Sequence, residues 1–155
     1  MGRRLLLIGA LMDKAIYWIG LFYTPSLTWV RVSDGVTARV GLTQQICGYL
    51  KSIDSTGSIQ YRLKPIGMRV KQMEPLGFID VKKVSFEIAS PISGTIRAYN
   101  NAVLNDPAAL YEDPEAKWIV ELEAENIEEE VRHLLSSHDY RELCRNLWYF
   151  LRIRM

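Results

Sequence analysis

At 155 residues and 48% apolar composition the chain suits one compact domain with a sizeable core, not a disordered segment. Nineteen basic residues against eighteen acidic ones leave a formal charge of +1, so the total charge gives no support to nucleic acid as a partner. Cys47 and Cys144 lack a C-x-x-C spacing in a chain too large to need a disulfide framework, which fits a reducing, intracellular compartment.

The chain opens with Arg3-Arg4, an apolar run from Leu5 to Met12, the charged pair Asp13-Lys14, and a second apolar run from Ala15 to Tyr23. Three readings fit this stretch. As a membrane helix, residues 5 to 23 are just long enough, but Asp13 and Lys14 would sit near the bilayer centre at about 2.5–3.5 kcal/mol each. As a secretory signal, the arginines fit but no small-x-small cleavage site follows. As a soluble helix, Leu5, Ile8, Met12, Ala15, Ile16 and Ile19 form one apolar face, with Asp13 and Lys14 mostly off it. The soluble or docked helix is favoured, and membrane contact through the N-terminus ranks second.

Beyond Tyr23 the period shortens. Trp29 to Val32 and Val36 to Gly41 read as strands joined at Ser33-Asp34-Gly35, where glycine accepts a positive φ. Gly41 to Leu50 suits a short helix, Asp54 to Gly57 a turn, and Ser58 to Leu63 an alternating strand that closes at Lys64 to Val70. Gly77 to Val81 is apolar and β-prone, whereas Val84, Phe86 and Ile88 alternate with Ser85, Glu87 and Ala89 as in a half-buried strand. Two strands therefore meet at Lys82-Lys83, a place suited to attaching something and poorly suited to a core. Two lysines at a polar turn are otherwise only solubilising.

Downstream, Thr95 to Tyr99 predicts a strand, Asn100 to Tyr111 helix or turn, and Trp118 to Glu123 a last strand with one buried face. Glu128-Glu129-Glu130 predicts a helix start favoured by the backbone dipole, with Val131, Leu134 and Leu135 as its stripe. Ser136 to Asp139 caps a final helix whose inner side carries Tyr140, Leu143, Leu147, Phe150 and Leu151. Charge is uneven along the chain. Arg31, Arg39, Lys51, Arg62, Lys64, Arg69 and Lys71 face only Asp34 and Asp54, whereas Glu121 to Glu130 is acidic. Each stretch reads as a solvated surface or, alternatively, a docking patch.

No residues form an active site. There is no Ser-His-Asp set, glycine-rich phosphate loop or H-E-x-x-H, and His133, His138 and Cys144 make no recognisable metal-ligand set. The chemistry must come from an attached group or from partners.

Around the lysine pair, Asp80-Val81-Lys82-Lys83 leads, eight residues on from Lys83, to Pro91-Ile92-Ser93-Gly94. This resembles the glycine cleavage H-protein family, whose signature is Glu-Ser-Val-Lys followed at that distance by Pro-Val/Ile-Ser-Gly. The resemblance selects Lys83 over Lys82 as the lysine that holds lipoic acid in amide linkage. It extends through Asn100, Ala102, Asp106-Pro107, Leu110, Glu112, Pro114 and Trp118, one residue short before the Trp. Upstream it covers Tyr23-Thr24-Pro25-Ser26-Leu27-Thr28-Trp29-Val30 and Gly41-Leu42-Thr43, about four-fifths of the chain in all. The first eleven residues have no counterpart, which makes Met12 an alternative start. Two departures stand out. Leu27 and Thr28 replace a His-Glu pair that lies beside the arm in the family, and the region 41 to 65 is longer.

The resemblance implies a mainly β fold, a flattened barrel-sandwich hybrid of the lipoyl/biotinyl kind with N-terminal and C-terminal helices. Residues 1-22 would form the apolar lead segment, 23-124 the H-type lipoyl carrier domain, and 125-155 C-terminal helices packed on it. It further implies a non-catalytic lipoyl carrier that shuttles an aminomethyl group among glycine decarboxylase, aminomethyltransferase and lipoamide dehydrogenase. The cofactor would be lipoic acid on Lys83, installed by a lipoyl ligase or transferase that reads Asp80 and Lys82 at the hairpin tip. A cytoplasmic setting, or the mitochondrial matrix in a eukaryote, follows. Two alternatives remain: an H-like lipoate-binding protein of another pathway, such as sulfur oxidation with a heterodisulfide-reductase-like complex, and an unmodified interaction module.

Overall fold

Short stretches of alternating apolar and polar residues build nine strands among the described residues, every pairing antiparallel. The computed structural model describes residues 21–54 and 58–154, with side chains as far as residue 146. The lead segment up to residue 20, and residues 55–57 of the turn expected at Asp54 to Gly57, lie outside that range. Leu21 and Phe22, expected as the end of the lead segment, belong instead to a strand with Tyr23, β1 (Leu21–Tyr23).

A six-stranded sheet has the order β1, β2 (Thr28–Ser33), β3 (Thr37–Leu42), β9 (Val120–Ala124), β8 (Gly94–Tyr99) and β5 (Arg69–Val70). A three-stranded sheet has the order β4 (Gln60–Leu63), β6 (Pro75–Val81) and β7 (Val84–Ala89). The sheets enclose one core. Val30, Val40, Ile96 and Leu122 from the larger sheet and Leu76, Ile79 and Ile88 from the smaller are almost fully buried. Each such side chain contributes about 1.5–3 kcal/mol on leaving water. The sheets do not close on one another, and the result is the expected flattened barrel-sandwich.

The predicted turn between β2 and β3 falls where the sequence puts it. Asp34 and Gly35 both have positive φ, +50° and +79°. Asp34 Oδ1 accepts hydrogen bonds from the Val36 and Thr37 amides at 3.3 and 2.9 Å. The helix after β3, α1, runs Gln44–Ile53 and buries Cys47 and Leu50 against the core. Burial pushes the Cys47 thiol up to about 12. Helix α2 (Asn101–Asn105) and 3-10 turns at Pro107–Tyr111 and Pro114–Ala116 carry the chain from β8 to β9.

One predicted helix is cut short. Helix α3 spans only Ile127–Glu130, followed by a 3-10 turn at Val131–His133. Leu135 leaves the helical stripe for the outer edge of β1. Its amide donates to the Tyr23 carbonyl at 2.7 Å and its carbonyl accepts from the Tyr23 amide at 2.9 Å. The edge strand's unpaired backbone groups thus compete successfully with another helical turn. Helix α4 (Ser137–Arg154) then starts as predicted, with Ser136 Oγ accepting from the Asp139 amide at 3.1 Å. Tyr140 on its inner side stacks on Tyr23, ring centroids 4.2 Å apart.

The charge runs resolve against each other. Arg39 pairs with Glu121 at 3.1 Å, and Arg69 with Glu125 and Arg97 with Glu123 each at 2.5 Å. The basic first half and the acidic stretch near residue 121 are therefore neighbours across β3, β9, β8 and β5. Pairs of this exposure contribute only about 0–1 kcal/mol each, so they do not build the fold. They do neutralise these regions of both patches.

Trp29 is fully buried, and its indole N–H donates to the Pro114 carbonyl at 3.2 Å. Gly41 stands directly opposite it, and a Cβ there would lie 2.4 Å from Trp29 Cζ2. Gly41→Ala is expected to lower the unfolding free energy by about 1–3 kcal/mol, read as a lower urea midpoint with unchanged slope. A change below about 0.5 kcal/mol would show that the ring relocates freely.

Candidate functional site

The β6–β7 register pairs Val81 with Val84, which leaves Lys82 and Lys83 as a two-residue loop, the shortest that joins two strands. Lys82 takes φ +55°, the left-handed conformation that such turns demand at their first central position and that costs non-glycine residues energy. Both lysines are exposed. Along β7 exposure falls from Val84 (41%) through half-buried Phe86 to Ile88 (1%), so the tip projects from the body while its base is anchored in the core. Among the described residues Lys83 makes no hydrogen bond or ion pair.

The foot of the turn is held on one face by side chains from three strands. Asp80 pairs with Ser85 in register, and Ser85 Oγ donates to Asp80 Oδ1 at 2.5 Å. Arg62 of β4 donates through Nε and Nη2 to the two carboxylate oxygens at 2.5 and 3.0 Å. The guanidinium hydrogen bonds, then the Ser85 hydroxyl, hold the Asp80 carboxyl at about 2, well below the usual carboxylate range. Asp80, expected as a recognition group, is thus present at the tip but already engaged.

The Pro91-Ile92-Ser93-Gly94 stretch forms the corner that takes the chain from the small sheet to the large one. Ser93 donates both its amide and its hydroxyl to the Glu130 carboxylate, at 2.7 and 2.5 Å. At Gly94 a Cβ would meet the Glu123 carbonyl oxygen at 2.4 Å. Serine and glycine at these positions are needed for the corner, which aims the hairpin.

Leu27 lies just before β2 and Thr28 opens it. Thr28 is fully buried and its hydroxyl shares a 2.7 Å hydrogen bond with Thr24 Oγ1. Leu27, at φ +67°, packs on the cluster of Tyr23, Trp29 and Tyr140. Their link to the hairpin runs through α1. The Leu27 carbonyl accepts from the Thr43 amide just before the helix at 3.0 Å, and Tyr49 on the helix lies edge-on to Phe86 at 5.6 Å. The longer region 41 to 65 leads to the same place. Gln60 pairs with Asp80, so Ser58 and Ile59 just before β4 lie towards the tip.

The sequence does not single out Arg62, and it marks Ser85 only as the polar partner in an alternation. A two-residue loop after Val81 already puts Ser85 opposite Asp80, so that half is available from spacing. Arg62 carries no such signal, because it lies eighteen residues from Asp80 and meets it only through strand pairing.

The family model for the glycine cleavage H-protein matches residues 21–147. A probable glycine cleavage system H protein of Thermococcus kodakarensis is 33% identical over 129 residues, covering 83% of this chain and 92% of the relative. One from Thermoplasma acidophilum is 35% identical over 124 residues, covering 80% and 92%. The crystal structure of a glycine cleavage system H protein from Mycobacterium marinum superposes with a TM-score of 0.60 at 25% identity, covering 77% of this chain and 92% of that one.

The lowered Asp80 carboxyl makes a pH prediction. Its folded value, about 2, lies below its ordinary value of 3.8, so the Arg62–Asp80 contribution is fully present above pH 3.8 and is lost as pH falls towards 2. The urea midpoints of the wild type and Asp80→Asn should differ by a constant amount above about pH 5 and converge near pH 2. A difference unchanged down to pH 2 would show that the pair contributes nothing.

Proposed function

Because the chain belongs to the glycine cleavage H-protein family, we propose that it is a lipoyl carrier with its arm on Lys83, relaying an aminomethyl group among glycine decarboxylase, aminomethyltransferase and lipoamide dehydrogenase. Proteins of this family are carriers, not enzymes, and hold lipoate on a lysine. The observation that supports Lys83 is its place at an exposed two-residue turn on an anchored hairpin, with no partner among the described residues.

The residues present fit such a group. An amine that is to be acylated by another protein must be reachable and unpaired, and among the described residues Lys83 is both. When attached, the lipoyl group supplies two-electron disulfide–dithiol exchange. The chain itself supplies position. The tight turn fixes the backbone on both sides of Lys83, the Arg62–Asp80–Ser85 set ties the hairpin to its neighbour, and Ile79 and Ile88 anchor it in the core. Tethering to a rigid base raises the effective concentration of the arm's end at each partner. Among the described residues no helix is long and apolar enough to cross a membrane.

A second reading has its own observation. Thr28 is buried and uncharged, with its hydroxyl held by Thr24, and Leu27 is apolar. This pair offers no charge to an ammonium-bearing cargo. That favours a lipoate-binding protein of another pathway, such as sulfur oxidation with a heterodisulfide-reductase-like complex.

Intact mass of protein made with an active lipoylation system, with peptide mapping, tests the attachment. One lipoyl increment on Lys83, absent from Lys83→Arg, is the expected result. No increment would overturn the carrier reading and favour the unmodified interaction module, whereas one on Lys82 would overturn the assignment of the arm to Lys83. With lipoylated protein in hand, the pathway is read from transfer of an aminomethyl group by glycine decarboxylase. Failure to accept that group would move the second reading to the front.

A further inference from the structure

Arg62 belongs to β4, the edge strand of the small sheet, yet its guanidinium reaches across β6 to the foot of the lysine turn. Nε and Nη2 engage both oxygens of Asp80, and Nη2 also lies 3.4 Å from Ser85 Oγ. The guanidinium carbon sits 4.9 Å from the centre of the Phe78 ring, which fixes the plane of the fork. A surface ion pair of single-point geometry would be interchangeable with many others; a two-point fork seated on a ring is directional.

The position of Asp80 makes its occupancy matter. Asp80 pairs with Ser85, so Lys83, two residues before Ser85, is its diagonal neighbour across the hairpin. Diagonal neighbours lie roughly 7–8 Å apart, within reach of a long side chain. An unengaged carboxylate there would draw the Lys83 ammonium to itself. The other charged groups near this face are Lys82 in the turn and Glu87 on β7, which pairs with Phe78 two positions further from the tip.

We propose that Arg62 is the positioning residue for modification of Lys83: by holding both oxygens of Asp80, it keeps that carboxylate from pairing with the lysine and leaves the amine available for acylation. This rests on the reading of Lys83 as the attachment site. In the modification, the neutral Nζ attacks the acyl carbon of an activated lipoyl donor, an acyl adenylate or acyl thioester brought by the attaching enzyme. The N–C bond forms, the bond from that carbon to the leaving oxygen or sulfur breaks, and the proton lost from nitrogen passes to solvent. A carboxylate paired with the ammonium favours the protonated, non-nucleophilic form and slows this step.

The test uses the full chain as wild type, Arg62→Gln, Arg62→Lys and the double variant Arg62→Gln/Asp80→Asn, each checked for fold by circular dichroism. Trace acetylation with the N-hydroxysuccinimide ester of acetic acid, across a pH series, is read at Lys83 by peptide mass. Arg62→Gln should shift the Lys83 profile to higher pH and slow labelling about two- to fivefold at neutral pH, the size of an exposed ion pair. Arg62→Lys, which keeps the charge but not the fork, should fall between the two and stands in if Arg62→Gln does not fold. The double variant should return to the wild-type profile. Coincident profiles for the wild type and the Arg62 variants would overturn the proposal. So would a double variant as slow as Arg62→Gln, since the effect would then be lost rigidity and not a freed carboxylate. Enzymatic lipoylation of the same set separates the two claims. Wild type that is acetylated but never lipoylated sinks the carrier reading, whereas lipoylation at equal rates in wild type and Arg62→Gln sinks the role of Arg62 alone.

Discussion

The register of the β6–β7 hairpin is the constraint on which the rest of the site depends. Side chains alternate faces with a period of two, so a slip of one residue would send Ile79 and Ile88 to solvent and Asp80 into the core. Burial of those isoleucines therefore fixes the pairing, and the pairing leaves two residues, Lys82 and Lys83, for the turn. The left-handed φ at Lys82 is the local cost of so short a loop. Exposure of Lys83 and opposition of Asp80 to Ser85 follow from that one alignment, and the β4–β6 register adds the reach of Arg62.

Electrostatics in this protein act locally. The sequence carries a basic first half and an acidic stretch near residue 121, and the sheet order brings them together as Arg39–Glu121 and Arg69–Glu125, with Arg97–Glu123 on β8 between them. Two bases of the first candidate docking patch thus pair directly with acids of the second. The same logic holds for Glu130. The dipole argument places it at a helix start, but its carboxylate closes the Ser93 corner instead, where an amide and a hydroxyl together outweigh a weak field from a single helical turn.

The cluster around Trp29 shows how a departure from the family pattern is absorbed. Leu27 packs with Tyr23, Trp29 and Tyr140, and Thr28 turns inward to Thr24. The substituted pair joins the packing under α4. Leu135, diverted from a helix to pair with Tyr23, closes the edge of β1 at the same point. The C-terminal elements thus complete the large sheet and also cover the cluster.

Most of the strands were legible in the sequence, because half-buried strands write a period of two into the residues themselves. Trp29 to Val32, Thr95 to Tyr99 and the pair flanking Lys82-Lys83 are read that way, as is the Asp34-Gly35 bend from its residue chemistry. The family resemblance, carried by Asp80 to Gly94 and the block from Asn100 to Trp118, named the lysine and the fold. What the sequence determined by itself was therefore local: where the chain extends, where it turns, and that a lysine pair stands at the turn. Only the tertiary structure decided that Arg62 would fork onto Asp80, that Glu130 would close the Ser93 corner, and that Leu135 would leave its helix for β1. Each of these joins residues far apart in the chain, and no local pattern encodes them. They exist because two sheets packing on one core set which edges and faces come within a hydrogen bond of each other.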